Sequence, residues 1–371
     1  VAGFAVSDAE VTNVIQISDV LRSPLEYARL PREELAERIL RRKTELNAVI
    51  LGHNYQRVEI QEVSDYLGDS LGLSQEAART DADVIVFCGV HFMAETAKIL
   101  SPDKQVLMPD LRAGCPMADF VTGDALRRLK TQYPDAVVVA YVNSTAEVKA
   151  ESDVCCTSAN AVQVVDSIPR DRTVLFVPDR NLARYTAEKS GRPYVIAGRE
   201  GGPVEPGSIV AWDGYCYVHD DLVLDELAAA KKKHPRALVV IHPEARADLL
   251  AHADVVASTA KMVDIAEQND EVIFGTERGI VDRMKARFPE KTLVPLSGAA
   301  ICGNMKVNTL AKLAWCLDHQ QHELVLDEDV RARAERSLRR MLELSPGAFE
   351  PTPAEVAMED ETVRKSGCGC A

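Results

Sequence analysis

One succession of features occurs three times along this chain and limits its fold more than any other property. Apolar runs beginning near Val49, Val137 and Leu238 end in the polar clusters Gly52-His53-Asn54-Tyr55, Ala140-Tyr141-Val142-Asn143 and Ile241-His242-Pro243-Glu244. Roughly 15 to 17 residues later Ser70, Ser158 and Ser258 each open an apolar, helix-like stretch. A serine there caps the helix, or leaves its hydroxyl and the backbone N–H groups free to hold an anion. Second apolar strands follow at 84–87, 174–177 and 272–274, then a candidate helix and a third short strand reaching Cys115, Cys216 and Cys302.

Nearly continuous apolar strands such as AVVVAYV and ALVVIHP need cover on both faces, as parallel sheets have. At 371 residues and 46% hydrophobic content the chain can fill several cores. The expected fold is α/β: three homologous three-layer α/β/α domains with short parallel sheets, in pseudo-three-fold symmetry around a central three-thiol site. The expected divisions are a helical N-terminal extension at 1–45, repeats at 46–130, 131–232 and 233–320, and a C-terminal helical extension with a loose tail at 321–371. Within these, 24–44 reads as a charged amphipathic helix, 198–210 as a Gly/Pro-rich connection, and 304–320 and 337–344 as helices. The tail from Gly347 onward reads as loosely ordered.

Asp and Glu exceed Lys and Arg by 57 to 43, a net charge of −14. The densest basic run, Lys231-Lys232-Lys233-His234, reads as a solvated helix end, so a groove tracking nucleic-acid phosphates is not expected. A local pocket for one small phosphate remains compatible with this charge. No apolar segment reaches the roughly 18 residues of a membrane span, and the first residues lack a signal-like pattern. Nine dispersed cysteines do not resemble a secreted disulfide scaffold, so a reducing cytoplasm is the expected location.

The cysteines separate by context. Cys88, Cys155, Cys156 and Cys316 sit in apolar strand or helix patterns and read as buried thiols. Cys368 and Cys370 lie in the tail, where a redox role is accessory at most. Cys115, Cys216 and Cys302 occupy equivalent turns. Three thiolates suit zinc with a further ligand, or an iron–sulfur cluster in which one iron lacks a protein thiolate and can bind a substrate oxygen. Such an iron is a Lewis acid toward a leaving hydroxyl.

LGHNYQRVEIQEVSDYLGDSLGLSQEAA, FCGVHFMAETAKIL and MPDLRAGCPMAD resemble the quinolinate synthase family. YVNSTAEVKAESDVCCTSANA, WDGYCYVH, VIHPEA, GTERG and CGNMKVNTLAKL continue the likeness in order, over about residues 45 to 315. The resemblance implies a [4Fe-4S] cluster, one per chain, held by Cys115, Cys216 and Cys302. It also implies a transferase that condenses iminoaspartate with dihydroxyacetone phosphate to quinolinate, phosphate and water in NAD biosynthesis. An aspartate-oxidising enzyme would supply the iminoaspartate, and a homodimer is one open assembly state. Two departures are visible: SGAAIC carries no cysteine before Cys302, and Ala260 stands where many relatives have serine.

Within this resemblance the chemistry suggests roles. His53 and Tyr55 suit proton exchange and orientation. Glu244 is the best carboxylate for abstracting a proton, with His242 beside it. Tyr141 and Asn143 suit recognition of carboxylates and imine, and His219 suits substrate contact or support of the cluster. Ser70, Ser158, Ser258 and Thr259 suit the phosphate, with Lys306 adding positive charge. Two other readings stay open: a radical enzyme using S-adenosylmethionine, like the diphthamide-biosynthesis proteins, and a non-enzymatic iron–sulfur protein.

Overall fold

Each apolar run of the repeats forms a strand. The structure, a computed structural model, describes residues 23–198, 204–345 and 352–353. The first sheet contains β1 (Ala48–His53), β2 (Tyr66–Gly68), β3 (Val84–Cys88) and β4 (Gln105–Leu107). The second contains β5 (Val137–Tyr141), β6 (Val154–Cys156), β7 (Val174–Val177), β8 (Tyr194–Ile196) and β9 (Ile209–Ala211). The third contains β10 (Leu238–Ile241), β11 (Val255–Val256), β12 (Glu271–Gly275) and β13 (Thr292–Pro295). Their orders are β2-β1-β3-β4, β6-β5-β7-β9-β8 and β11-β10-β12-β13, with every neighbouring pair parallel. A short β14 (Thr352–Pro353) runs antiparallel along β2 at the edge of the first sheet.

Three short parallel sheets interleaved with helices are the α/β architecture expected from the repeats. The sequence reading passed over β2, β6 and β11, which are only two or three residues long. An aspartate marks each of them. Asp65, Asp153 and Asp254 accept the backbone N–H of Ile50, Val138 and Val239 at 2.8, 2.7 and 2.8 Å, in each case fifteen residues away. Their own N–H groups donate back to the carbonyls of the same three residues. The same reciprocal pair thus locks the first strand of every repeat to the start of the second.

Strand register makes the polar clusters equivalent. Gly52 pairs with Cys88, Ala140 with Val177 and Ile241 with Gly275. The residues that follow, His53, Tyr141 and His242, therefore occupy one position of the repeat, and Tyr55, Asn143 and Glu244 occupy the position two further on. Each first strand sits between the second and third, so its C-terminal end is where the strand order reverses. In open parallel sheets that switch point is where ligands bind.

The flanking helices differ in detail from expectation. The stretch 24–44 is two helices, Pro24–Tyr27 and Arg32–Glu45, because Pro31 cannot donate a backbone hydrogen bond and disfavours helical geometry at the residue before it. The stretch 304–320 is a short turn, Met305–Val307, and then a helix, Leu310–His319, capped by the Thr309 hydroxyl. It packs with the N-terminal helices over the first sheet, burying Ile39, Ile50, Leu313 and Cys316 together. The final helix begins earlier than expected, at Glu328, because Asp327 caps it. It spans Glu328–Glu343, and Ser337 donates to the carbonyl of Lys149 in the second repeat. Among the described residues no helix is long and apolar enough to cross a membrane. Part of the connection at 198–210, and Cys368 and Cys370, lie outside the described residues.

Candidate active site

Each repeat holds its cysteine by the same device. The first N–H of the helix after the third strand of each unit, at His91, Arg180 and Arg278, donates to the carbonyl two residues before the cysteine. The acceptors are Ala113, Gly214 and Ala300, at 2.7, 2.8 and 2.8 Å. Gly214 is required here, since a Cβ would stand 2.5 Å from the carbonyl oxygen of Pro178. After each cysteine the chain turns into a helical turn, at Ala118–Phe120, Tyr217–Asp220 and Met305–Val307. The N–H of Gly303, next to Cys302, donates to the phenol of Tyr217, next to Cys216, at 3.0 Å, tying two of the three loops together.

The three switch points and the three cysteine loops face one cavity of about 740 Å³, counted to its open mouth, within the range of small-molecule sites. Its wall includes Cys115, Cys216 and Cys302 together with His53, Tyr55, Tyr141, Asn143, His219, His242 and Glu244. Ser70, Ser158 and Thr259 also line it. Ser258 does not. It lines an adjoining hollow that shares Asp69 and Ser158 with the first. Lys306 lines neither: its ammonium bonds the carbonyls of Tyr55 and Gln56 and forms an ion pair at 3.1 Å with Glu277, which is wholly buried.

Glu244 is the electrostatic centre of the wall. One carboxylate oxygen accepts from the phenol of Tyr141, and the other bonds Nδ1 of His219 at 2.8 Å. His242 stacks on His219, and its Nδ1 accepts the N–H of Glu244 at 3.4 Å. His53 makes the equivalent bond in the first repeat, accepting the N–H of Tyr55 at 3.1 Å. Burial alone would raise the Glu244 carboxyl, but the facing imidazole of His219 and the hydrogen bonds from His219 and Tyr141 outweigh it and hold the carboxyl below its usual range. Burial pushes His53 and His242 down to about 3, so both imidazoles are neutral near pH 7. Burial, and then the charge of Glu244, raises Tyr55, Tyr141 and the buried Asp179 well above their usual values. The site thus holds an ionised carboxylate among neutral hydrogen-bonding groups.

Of the helix-start serines, Ser70 follows Asp69, whose carboxylate takes the cap by accepting from Gly72 at 3.0 Å. Ser158 lies in the turn before Asn160, the residue preceding the helix Ala161–Asp166. Ser258 directly precedes the helix Thr259–Gln268 and makes no side-chain cap bond. Sequence reasoning missed three residues. Asp69 was visible as a capping residue before Ser70, and Tyr217 as a tyrosine following a cysteine. Thr276 carries no local signal, yet its hydroxyl lies 2.6 Å from Tyr55 Oη and 3.0 Å from His219 Nε2.

The donor set is suited to a metal cluster. Burial raises all three thiols, Cys115 to about 12, and the charge of Glu244, followed by those of the other two cysteines, raises Cys216 further. Backbone N–H groups of Met117, Ala118 and Met305 oppose that rise, as donors to thiolate sulfur would. Three thiolates on separate loops around one cavity need positive charge between them. Among the described residues Cys216, His219 and Glu244 also offer ligand atoms within 4.8 Å of one another, but the last two are already bonded to each other.

Three parallel sheets that bring their switch points to one cavity, with thiols on its loops and an ionised carboxylate in its wall, define an α/β protein built of three short parallel sheets around a shared cavity. Residues 37–343 match the family described as "Quinolinate synthetase A protein". The chain is 49% identical over 314 residues to a quinolinate synthase of Desulforudis audaxviator, covering 84% of this chain and 99% of that one. It is 45% identical over 329 residues to the quinolinate synthase of Microcystis aeruginosa, covering 87% and 98%. It is 47% identical over 315 residues to quinolinate synthase 1 of Methanosarcina acetivorans, covering 84% and 98%. The chain belongs to the quinolinate synthetase A family.

Proposed function

We propose that this chain is a quinolinate synthase: a transferase that condenses iminoaspartate with dihydroxyacetone phosphate and releases phosphate and water, supplying quinolinate to NAD biosynthesis. The observation that carries the reading is Glu244, held ionised between Tyr141 and His219 in the same cavity wall as Cys115, Cys216 and Cys302. Those three cysteines would hold a [4Fe-4S] cluster, which when bound supplies a Lewis acid for a departing hydroxyl.

The chain's own residues account for binding and proton movement. Oδ1 of Asn143 is buried with no partner, so it awaits a donor, and the N–H of an imine is one. The hydroxyls of Ser70, Ser158 and Thr259 line the wall that would take the phosphate, and Ser258 adds an uncommitted hydroxyl beside it. Glu244, charged at neutral pH and aimed by two hydrogen bonds, is the base for a carbon-bound proton. Tyr55, which keeps its proton, suits donation to a carbonyl or leaving oxygen. Neutral His53 and His242, fixed by backbone N–H groups at Nδ1, present Nε2–H as a donor to developing negative charge.

The test is quinolinate formation, followed by mass spectrometry, with anaerobically reconstituted protein, dihydroxyacetone phosphate and iminoaspartate generated in the same vessel. Product that depends on both substrates and on reconstitution supports the reading. No product from protein with verified iron and sulfide would overturn it.

A further inference from the structure

Lys149 is wholly buried and stands behind the cavity wall, between Phe92, which lines it, and Ser144, which follows the lining residue Asn143. Its ammonium donates to the carbonyl of Ser144 at 2.6 Å and to that of Phe92 at 3.5 Å, with Nζ 5.5 Å from the centroid of the Phe92 ring. Two carbonyls and a ring face thus receive a charge that burial would otherwise penalise. Phe92 belongs to the helix His91–Leu100 of the first repeat and Ser144 to the second, so the ammonium joins the two units. Glu95, on the same helix and also buried, makes a second tie by accepting the N–H of Ala146 at 3.0 Å.

The repeat shows what these two ties add. Tyr55, Asn143 and Glu244 share one position of the repeat, and the residues six further on are Gln61, Lys149 and Leu250. Gln61 donates to the carbonyl of Gln56, the counterpart of Ser144, at 2.8 Å, so a neutral amide is enough to close such a loop. Its other bond, at 3.3 Å, returns to Asn54 in its own loop, whereas Lys149 reaches into the neighbouring repeat. The other two seams are tied at the same helix position as Phe92, the second residue of the helix after the third strand. Asn181 there donates to the carbonyl of Glu244 at 3.0 Å. Gly279 there leaves no room for a Cβ beside the ammonium of Lys306, which bonds the carbonyl of Tyr55. Each seam therefore holds the loop that carries one wall residue, Tyr55, Asn143 or Glu244.

We infer that Lys149 and Glu95 are positioning residues: together they clasp the Asn143 loop to the first repeat and set how well the site takes the imine end of its dicarboxylate substrate. Neither side chain touches that substrate. They act through Asn143, whose Oδ1 is buried without a partner and has to meet a donor at a fixed place. A loop freed from Phe92 would let that oxygen drift, and the substrate that bonds it would bind more weakly. The serines that would take the phosphate stand on other loops and keep their places. The inference deepens the synthase reading and rests on it for the identity of the substrate.

The experiment compares Lys149→Met, Lys149→Gln and Glu95→Ala in cluster-loaded protein, with iminoaspartate formed from oxaloacetate and ammonia. Lys149→Met and Glu95→Ala are expected to raise KM for iminoaspartate about tenfold, the worth of one misplaced hydrogen bond. In both, kcat, iron content and KM for dihydroxyacetone phosphate should stay near the parent's, the pattern of lost uniform binding to one substrate. Lys149→Gln should regain most of the loss, since an amide makes the same loop bond at Gln61. In protein carrying 15N-asparagine, the Nδ2 resonance of Asn143, assigned by its loss in Asn143→Asp, should move in Lys149→Met and Glu95→Ala and return in Lys149→Gln. An unchanged KM for iminoaspartate would overturn the clasp, as would an equal rise for both substrates or an unmoved Nδ2 resonance. Should Lys149→Met fail to fold, Glu95→Ala carries the same test. If the parent makes no quinolinate, the synthase reading fails, and the 15N comparison alone still decides whether the clasp sets Asn143.

Discussion

The imidazole of His219 lies against that of His242, with ring centroids 4.4 Å apart and planes 21° from parallel. The His219 ring of that stack bonds the buried Glu244 carboxylate at 2.8 Å, and this bond with the one from Tyr141 holds the carboxyl below its usual range. Replacing Glu244 by glutamine is therefore expected to lower kcat by about 10²- to 10⁴-fold. Bound iron and sulfide, measured on the same preparation, should remain near parental levels. Unchanged turnover would remove Glu244 from the chemistry.

Serine in place of Cys115, Cys216 or Cys302 should abolish most iron and sulfide binding while circular dichroism stays native, since all three sit on half-buried loops rather than in the sheets. Serine at Cys155, fully buried on β6, should leave iron content intact. A normal cluster content in any of the first three variants would exclude that residue as a ligand.

His53 and His242 have folded pKa values of about 3, below the roughly 6.5 of an unfolded chain. The unfolded state takes up protons first, so the stability these two residues allow is complete above pH 6.5 and is lost as the pH falls toward 3. Denaturant melts should show that loss, and His53→Gln or His242→Gln should flatten it. In NMR neither ring should titrate between pH 5 and 8.

Lys306 pairs with the wholly buried Glu277, whose Oε1 accepts the N–H of Cys302 at 3.1 Å. Lys306→Met would leave that carboxylate buried without its cation, at a cost of about 3 kcal/mol or more. A urea melt gives the value, and a loss under about 0.5 kcal/mol, the range of an ordinary surface substitution, would show that the pair does not hold the third cysteine loop.

Alanine at Asp65, Asp153 or Asp254 should cost about 1.5 to 3 kcal/mol each, the worth of a hydrogen bond to a charged acceptor. The three sites lie in different sheets, so a double variant should lose close to the sum of its two parts. Strong non-additivity would mean that the sheets unfold in a coupled manner before global melting.

The three α/β units are legible from local pattern, because an apolar strand, its polar end and a terminal cysteine survive without knowledge of packing. Cys115, Cys216, Cys302, Tyr55, Tyr141, His219 and Glu244, singled out from the sequence, all line one cavity, the last strand residue Tyr141 and the near neighbours Tyr55 and Glu244 from the first-strand ends and the other four from the cysteine loops and the turn after them. Ranges of two or three residues such as β11 were below what periodicity can resolve, and Pro31 divided a helix that charge pattern alone made continuous. The pairing of these residues is set by how the sheets pack. Lys306, near Cys302 in sequence, is drawn to Glu277 and the carbonyl of Tyr55 because a buried carboxylate needs a cation more than the open cavity does. Thr276 became part of the site because Tyr55, from the first repeat, and His219, from the second, both reach the turn after β12. Such contacts between residues 57 or more apart depend on how the three sheets pack, which no local pattern encodes.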